Sequence, residues 1–157
     1  MVKAAFSGSF DPPTFGHLNL IERSAALFES LTVVLAENPR KQSLFSLEER
    51  IFMVSELVKP WKNVVVESSP ALTVDFMRDR GIRILVRGIR GARDFPYELE
   101  LSLWNKTLAP EIETLFLTAD PRHSLVSSSA VKELAGFHQD LSAYVPPLVE
   151  AALKKLF

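Results

Sequence analysis

Apolar positions along this chain fall into two alternating patterns. Short runs with strand character appear at Lys3–Ser7, Leu31–Ala36, Val64–Val66, Ile84–Val86 and Glu113–Leu117. The run at Leu31–Ala36 is apolar almost throughout, as expected of a strand buried on both faces. Between the runs, apolar residues recur at helical spacing. His17–Phe28 puts Leu20, Ile21, Ser24, Leu27 and Phe28 on one face. Ser46-Leu47-Glu48-Glu49 has the spacing of a capping box, opening a helix that carries Ile51, Val54, Leu57 and Val58 and stops before Pro60. Leu72–Arg80 is a short helix stopped by Gly81. Asp94 is placed to cap a helix with Leu99, Leu103 and Trp104 inward, ending before Pro110. Ser127–Ala135 starts at a run of serines, and Pro147–Leu156 is a last amphipathic helix with Leu148, Val149, Ala152, Leu153 and Leu156 on its apolar face.

Strands alternating with helices require right-handed crossovers and a parallel sheet covered on both faces. The expectation is an α/β fold: a Rossmann-like, doubly wound, five-stranded parallel sheet forming a single domain over residues 1–157. In such sheets ligands bind beyond the carboxyl ends of the strands, at the switch point. The loops after the first, second, fourth and fifth strands are therefore the ones to read for chemistry.

Composition narrows the field. The chain has no cysteine, which removes disulfides, thiolate metal sites and cysteine nucleophiles. A net charge of −1 argues against a general nucleic-acid binder. No apolar run approaches the roughly 18 residues of a membrane span. The apolar stretch near Met1 is too short for a signal peptide, so a cytoplasmic location without membrane partners is expected.

The loop after the first strand reads Gly8-Ser9-Phe10-Asp11-Pro12-Pro13-Thr14-Phe15-Gly16-His17. It is neither a dinucleotide fingerprint nor a P-loop. A helix N-terminus offers unpaired N–H groups and a positive dipole end, and His17 stands there as a further donor to phosphate. The second loop carries Lys41, either a solvated charge or a mobile cation for phosphate. Arg87-Gly88-Ile89-Arg90-Gly91 leaves the fourth strand, with guanidinium forks suited to phosphate. Arg78, Arg80 and Arg83 read instead as a solvated helix end and turn. Glu98 either accepts from a sugar hydroxyl or base, or faces solvent. His123-Ser124-Leu125-Val126-Ser127-Ser128-Ser129 brings hydroxyls and helix-start amides. Basic and N–H-rich loops at one sheet edge predict a polyphosphate site. With no Gly-x-Ser-x-Gly elbow or cysteine, direct in-line displacement at phosphorus fits.

These residues resemble the nucleotidyltransferase superfamily with the Thr/His-x-Gly-His motif, and within it the bacterial phosphopantetheine adenylyltransferases. The resemblance rests on Gly8–Pro12, Thr14-x-Gly16-His17, Phe45–Arg50, Arg87–Arg90, Asp94-Phe95-x-Tyr97-Glu98 and Ser127-Ser128-Ser129-x-Val131-Lys132-Glu133, in that order. It implies adenylate transfer from ATP to 4′-phosphopantetheine, with Mg²⁺ bound through the ATP phosphates and no metal site on the protein. It implies catalytic roles for His17, Lys41, Arg90 and Ser129. It places ATP on Ser9, Phe10, His17, Gly88, Ile89, Arg90, Glu98, His123, Ser124, Leu125, Val126, Ser127, Ser128 and Ser129. It places the acceptor on Ser9, Lys41, Thr73 and Arg87. It also implies a homohexamer and coenzyme A as a feedback ligand; Phe76 and Trp104 are candidate interface residues, with a core role the favoured reading for each. The competing readings are transfer to another phosphorylated acceptor, such as nicotinamide mononucleotide, and a nucleotide-binding regulator without turnover.

Overall fold

The structure, a computed structural model, describes residues 2–157, so Met1 of the expected domain lies outside the described residues. In chain order the elements are β1 (Lys3–Gly8), α1 (Phe15–Leu27), β2 (Ser30–Ala36), α2 (Leu47–Val58), β3 (Val64–Ser69) and α3 (Thr73–Asp79). They continue with β4 (Ile84–Ile89), α4 (Phe95–Leu108), β5 (Glu113–Thr118), a 3₁₀ turn (Pro121–His123), α5 (Ser128–Gly136) and α6 (Pro147–Leu153). The five strands are all parallel, in the order β3-β2-β1-β4-β5. This is the doubly wound arrangement that the strand–helix alternation predicts.

The sheet reverses its direction of growth at β1. The chain first builds outward through β2 and β3, then crosses back to lay β4 on the other side of β1, with Ala4 opposite Ile84 and Phe6 opposite Val86. Loops leaving β1 and β4 diverge over that junction and leave a crevice, as the switch-point rule requires.

Both faces of the central strands are covered, and strand alternation divides the core in two. Ala4, Phe6, Leu31, Val33 and Leu35 pack against Leu20 and Ile21 of α1 and Val54 and Val58 of α2. Ala5, Val34 and Leu85 face the other way, onto Val74, Phe76 and Met77 of α3 with Ile82 and Ile112. A third cluster joins Phe45 and Met53 to Val126, Val131 and Ala135, and to Leu141, Val149 and Leu153. It fastens α5 and α6 beside α2 and so fixes where α5 begins.

Several boundaries differ from the sequence expectation. Strands β3 and β4 run on to Ser69 and Ile89, because pairing with β2 and β5 continues past the most apolar residues. The capping box forms as expected: Glu49 N–H donates to Ser46 Oγ at 3.2 Å, and Ser46 N–H donates to Glu49 Oε2 at 2.7 Å. Gly81 follows α3 with φ +65°, the left-handed conformation that glycine adopts without strain. Helix α6 stops at Leu153, leaving Leu156 half exposed.

Helix α4 overturns two expectations. Asp94 does not cap it through its side chain; the carboxylate accepts from Arg90 N–H at 3.0 Å and Arg90 Nε at 3.2 Å instead. Leu99, Leu103 and Trp104 are not inward: they are 38%, 59% and 60% exposed, and Glu98 is the buried residue of the helix. Spacing identifies residues that share a face, but what covers that face depends on the sheet. Here α4 lies over the β4–β5 edge, where Leu115 is itself exposed. Phe76, for which a core role is favoured over an interface one, is core, at 4% exposure.

Candidate active site

A cleft of about 290 Å³ opens over the β1–β4 junction. It gathers Ser9, His17, Arg87, Gly88, Arg90, Glu98, His123, Val126, Ser127, Ser128 and Ser129 from four segments of the chain. A second hollow, of about 380 Å³, lies beyond β2 and is lined by Lys41, Ser43, Phe45, Arg50 and Pro70 among others. Ser9 lines both. The two spaces therefore meet at the residue directly after β1.

The β1–α1 loop is held from below. Phe10 has φ +50° and is 1% exposed, its ring packed against Phe6 and His17 with centroids 6.0 and 4.9 Å apart. Asp11 is 1% exposed. Its carboxylate accepts from Leu44 N–H at 2.8 Å, Phe45 N–H at 2.9 Å and Lys132 Nζ at 3.3 Å. Burial alone would raise its pKa. The two amides and the ammonium outweigh that and hold it below the ordinary carboxylate value, so Asp11 stays ionised. One side chain thus ties this loop to the approach to α2 and to α5.

Helix α1 starts at Phe15 rather than His17, with Thr14 as its cap. Thr14 N–H donates to His17 Nδ1 at 3.0 Å, while His17 N–H donates to Thr14 Oγ1 at 3.4 Å. This is a capping box with histidine in the place usually taken by glutamate. It has a chemical consequence. A backbone N–H can only donate, so Nδ1 must be the unprotonated acceptor and Nε2 carries the hydrogen. Burial, and then the positive charges of Arg90 and Arg87, lower the His17 pKa from 6.5 to about 4. At neutral pH His17 is therefore a neutral imidazole offering Nε2–H as a donor. The Thr-x-x-His spacing carried this signal, which the glutamate form of the motif obscured.

Arg87 is already engaged. Its Nε and Nη2 donate to Glu98 Oε2 and Oε1, both at 2.8 Å, and its Nη1 donates to Ser7 O at 2.7 Å. Glu98 is thus neither solvent-facing nor free; it is the counter-ion of the β4 arginine. Arg90 reaches across the cleft to Val126 O at 3.4 Å from its pairing with Asp94. As expected, Arg78 and Arg80 lie outside the cleft, paired with Glu111 and Glu67.

The opposite wall is the start of α5. Ser127 caps the helix by accepting from Ala130 N–H at 3.1 Å, and Ser128 Oγ donates to Pro12 O at 2.8 Å. Of the three serines, one caps, one ties the helix to the first loop, and Ser129 keeps a free hydroxyl in the cleft. First-turn amides of a helix have no intrahelical partner, so this end of α5 presents N–H groups and positive dipole to the cleft. His123 lies beside it, its ring stacked near Phe15, with Nδ1 buried and unpartnered among the described residues. Gly88 keeps the floor open: a Cβ there would lie 2.3 Å from Leu20 Cδ1.

Some expected residues lie elsewhere. Phe10 supports the loop from the core, and Ile89 and Ser124 do not line the cleft. Leu125 is 90% exposed. Lys41 stands in the second hollow, apart from Arg87 in the first. Thr73 lines neither; its hydroxyl is 3.4 Å from Ser7 Oγ. Asp11, Lys132 and Arg50 were missed by sequence reasoning. Arg50 had a signal: it sits one turn before Met53 and Val54 on the buried face of α2.

Among the described residues no group of three or more His, Asp or Glu is placed to hold a metal ion. Among the described residues no helix is long and apolar enough to cross a membrane.

The likeness to known proteins agrees with this architecture. A solved structure from Vibrio parahaemolyticus, assigned as a nicotinate-nucleotide adenylyltransferase, superposes with a TM-score of 0.70. It does so over 98% of this chain and 91% of its own, at 17% identity, a level that speaks to the fold alone. Residues 5–134 match the cytidylyltransferase-like family, a span running from β1 through α5 and including both walls of the cleft. The chain belongs to the cytidylyltransferase-like family.

Proposed function

We propose that this nucleotidyltransferase moves adenylate from ATP to 4′-phosphopantetheine, releasing pyrophosphate and forming dephospho-coenzyme A. The nucleotide occupies the first cleft, with its phosphates between His17, Arg90 and the start of α5. The acceptor reaches in from the second hollow, its phosphate arriving at Ser9. An acceptor phosphate oxygen attacks the α-phosphorus in line, the bond to the bridging oxygen breaks, and pyrophosphate leaves. Catalysis of this kind is positioning plus charge neutralisation. His17 Nε2–H, the Ser129 hydroxyl and the α5 amides supply donors to the phosphoryl oxygens, and Arg90 and Lys41 supply positive charge. Mg²⁺ travels with the ATP phosphates, and coenzyme A, which shares the acceptor's arm, is a feedback ligand of the same site.

The observation that carries the acceptor assignment is the wall of the second hollow. Its one aromatic residue, Phe45, is 3% exposed, with its ring in the α2–α5–α6 cluster. A flat pyridine ring finds no stacking face there. A thin, flexible, amide-bearing arm does not need one.

The reading includes assembly into a homohexamer in the cytoplasm. It is supported by the apolar face of α4, where Tyr97, Leu103, Trp104 and Leu108 are 67%, 59%, 60% and 52% exposed. Contiguous apolar surface of this kind marks an interaction site.

Mass spectrometry of the products from ATP, Mg²⁺ and 4′-phosphopantetheine tests the reaction. Dephospho-coenzyme A is expected, with no detectable product from nicotinamide mononucleotide or nicotinate mononucleotide at equal concentration. Comparable turnover of either mononucleotide overturns the acceptor assignment. ATP binding without pyrophosphate release for any of the three would favour a regulator.

A further inference from the structure

Arg50 is a buried cation without a carboxylate. It is 6% exposed and forms no ion pair among the described residues. Its Nε donates to Phe45 O at 3.2 Å and Ser46 O at 3.3 Å, and its Nη1 donates to Ser9 O at 2.9 Å. Nη2 has no partner within the described chain, and the side chain lines the second hollow. Three carbonyl oxygens satisfy the donors they meet, but they do not cancel a full charge. A guanidinium cannot escape burial by losing its proton, as a lysine or histidine can. A buried charge left in this state is stabilised by an anion.

The surroundings say where that anion sits. Lys41 lines the same hollow and Glu37 is its carboxylate, so two cations face one acid, and Glu37 pairs with neither. The Arg50–Ser9 bond brings the guanidinium to the residue shared by both spaces. Helix α2 is capped and packed on its apolar side, so Arg50 is a fixed fork, whereas Lys41 is exposed on a loop. A fixed fork beside a mobile ammonium suits a phosphomonoester dianion.

We infer that Arg50 is the fixed binding group for the phosphate of the acceptor, reached through the second hollow and seated next to Ser9. The inference rests on the proposed acceptor chemistry in one respect only: the hollow must take a phosphorylated molecule. It adds a residue with no assigned role and separates the labour. Arg50 selects for phosphate and Lys41 follows it.

Calorimetric titration of the full chain with 4′-phosphopantetheine and with pantetheine, which lacks only the phosphate, tests this. The wild-type protein is expected to prefer the phosphorylated ligand, and Arg50→Gln to lose about 10-fold or more of that affinity, the scale of a charged hydrogen bond. Pantetheine binding should change little. Equal weakening of both ligands, or of neither, would mean that Arg50 only braces the Ser9 loop and would overturn the inference. Arg50→Lys covers a glutamine variant that fails to fold; it should keep much of the phosphate preference, and a loss of preference in the folded lysine variant is equally fatal. If the wild-type protein binds neither ligand, the acceptor reading falls by itself. Phosphorus NMR with inorganic phosphate then decides for Arg50: binding abolished by Arg50→Gln supports it, and unchanged binding overturns it.

Discussion

Arg87 at the end of β4 and Glu98 in the first turn of α4 form a two-pronged ion pair, each prong 2.8 Å, with side chains 20% and 10% exposed. The pair holds a helix that has little apolar contact of its own with the sheet, since Glu98 is the buried residue of α4. It also aims the arginine at the β1–β4 junction through Ser7 O. Glu98 thus acts on the cleft through Arg87.

Removing either partner leaves the other's charge largely buried and uncompensated, which costs about 3–5 kcal/mol in comparable pairs. Glu98→Ala and Arg87→Ala should each lower kcat/KM, and the double variant should be little worse than either alone. Additive losses in a double-mutant cycle would show that the two side chains work independently. Because Arg87 lines the first cleft, Arg87→Ala should weaken ATP binding more than acceptor binding; titrations in which the acceptor suffers most would assign Arg87 to the acceptor.

His17 should act as a neutral donor. His17→Ala is expected to lower kcat by about 10²–10³, the scale of a lost preorganised donor, with ATP affinity nearly unchanged. Near-normal turnover would remove His17 from the chemistry.

The same histidine predicts a pH dependence of stability. Its folded pKa, about 4, lies below the ordinary 6.5. Between those values the unfolded chain binds a proton that the folded chain does not, so stability falls as pH drops from about 6.5 toward about 4. Above 6.5 the group contributes no slope. Thermal melts across this range should show His17→Gln with a shallower acid-side decline than the wild-type protein; identical slopes would mean that the imidazole titrates normally.

Gly88→Ala should drive Leu20 out of its rotamer, because the added Cβ would lie 2.3 Å from Leu20 Cδ1. Overpacking of this kind costs about 1–3 kcal/mol. Leu20→Ala removes the atoms that the new Cβ would meet, so in a double-mutant cycle the two Tm losses should be less than additive. A double variant less stable than the sum of its parts would place the strain elsewhere.

Assembly through α4 is checked by light scattering. The wild-type chain should give a mass of several chains at micromolar concentration, and Leu103→Glu with Trp104→Glu should reduce it while the circular dichroism stays the same. A wild-type monomer would end the proposal of a hexamer.

Much of the site was readable as residue types in order. Thr14, Gly16 and His17, the arginines after β4, and the serines before α5 all fall in loops that the alternation pattern assigns to one sheet edge. What was hidden were partners distant in sequence. Asp11 meets Leu44, Phe45 and Lys132 only after the strands align, and Arg50 meets Ser9 across a separation of 41 residues. Glu98 left two readings open in the sequence, and neither was its pairing with Arg87. Phe10 stands in the motif, and only the folded chain shows that its backbone conformation turns the ring into the core.

By itself the sequence determined the strand–helix alternation, the parallel sheet, the capping box at Ser46–Glu49 and the glycine stop at Gly81. Each depends on residues within a turn or two, where spacing and backbone preference suffice. Tertiary structure alone decided that Leu103 and Trp104 face outward, that Lys41 and Arg87 serve different spaces, and that His17 carries its hydrogen on Nε2 under the charge of Arg87 and Arg90. Period tells which side chains share a face; which surface or charge meets that face depends on where the β1–β4 crossover lays the strands.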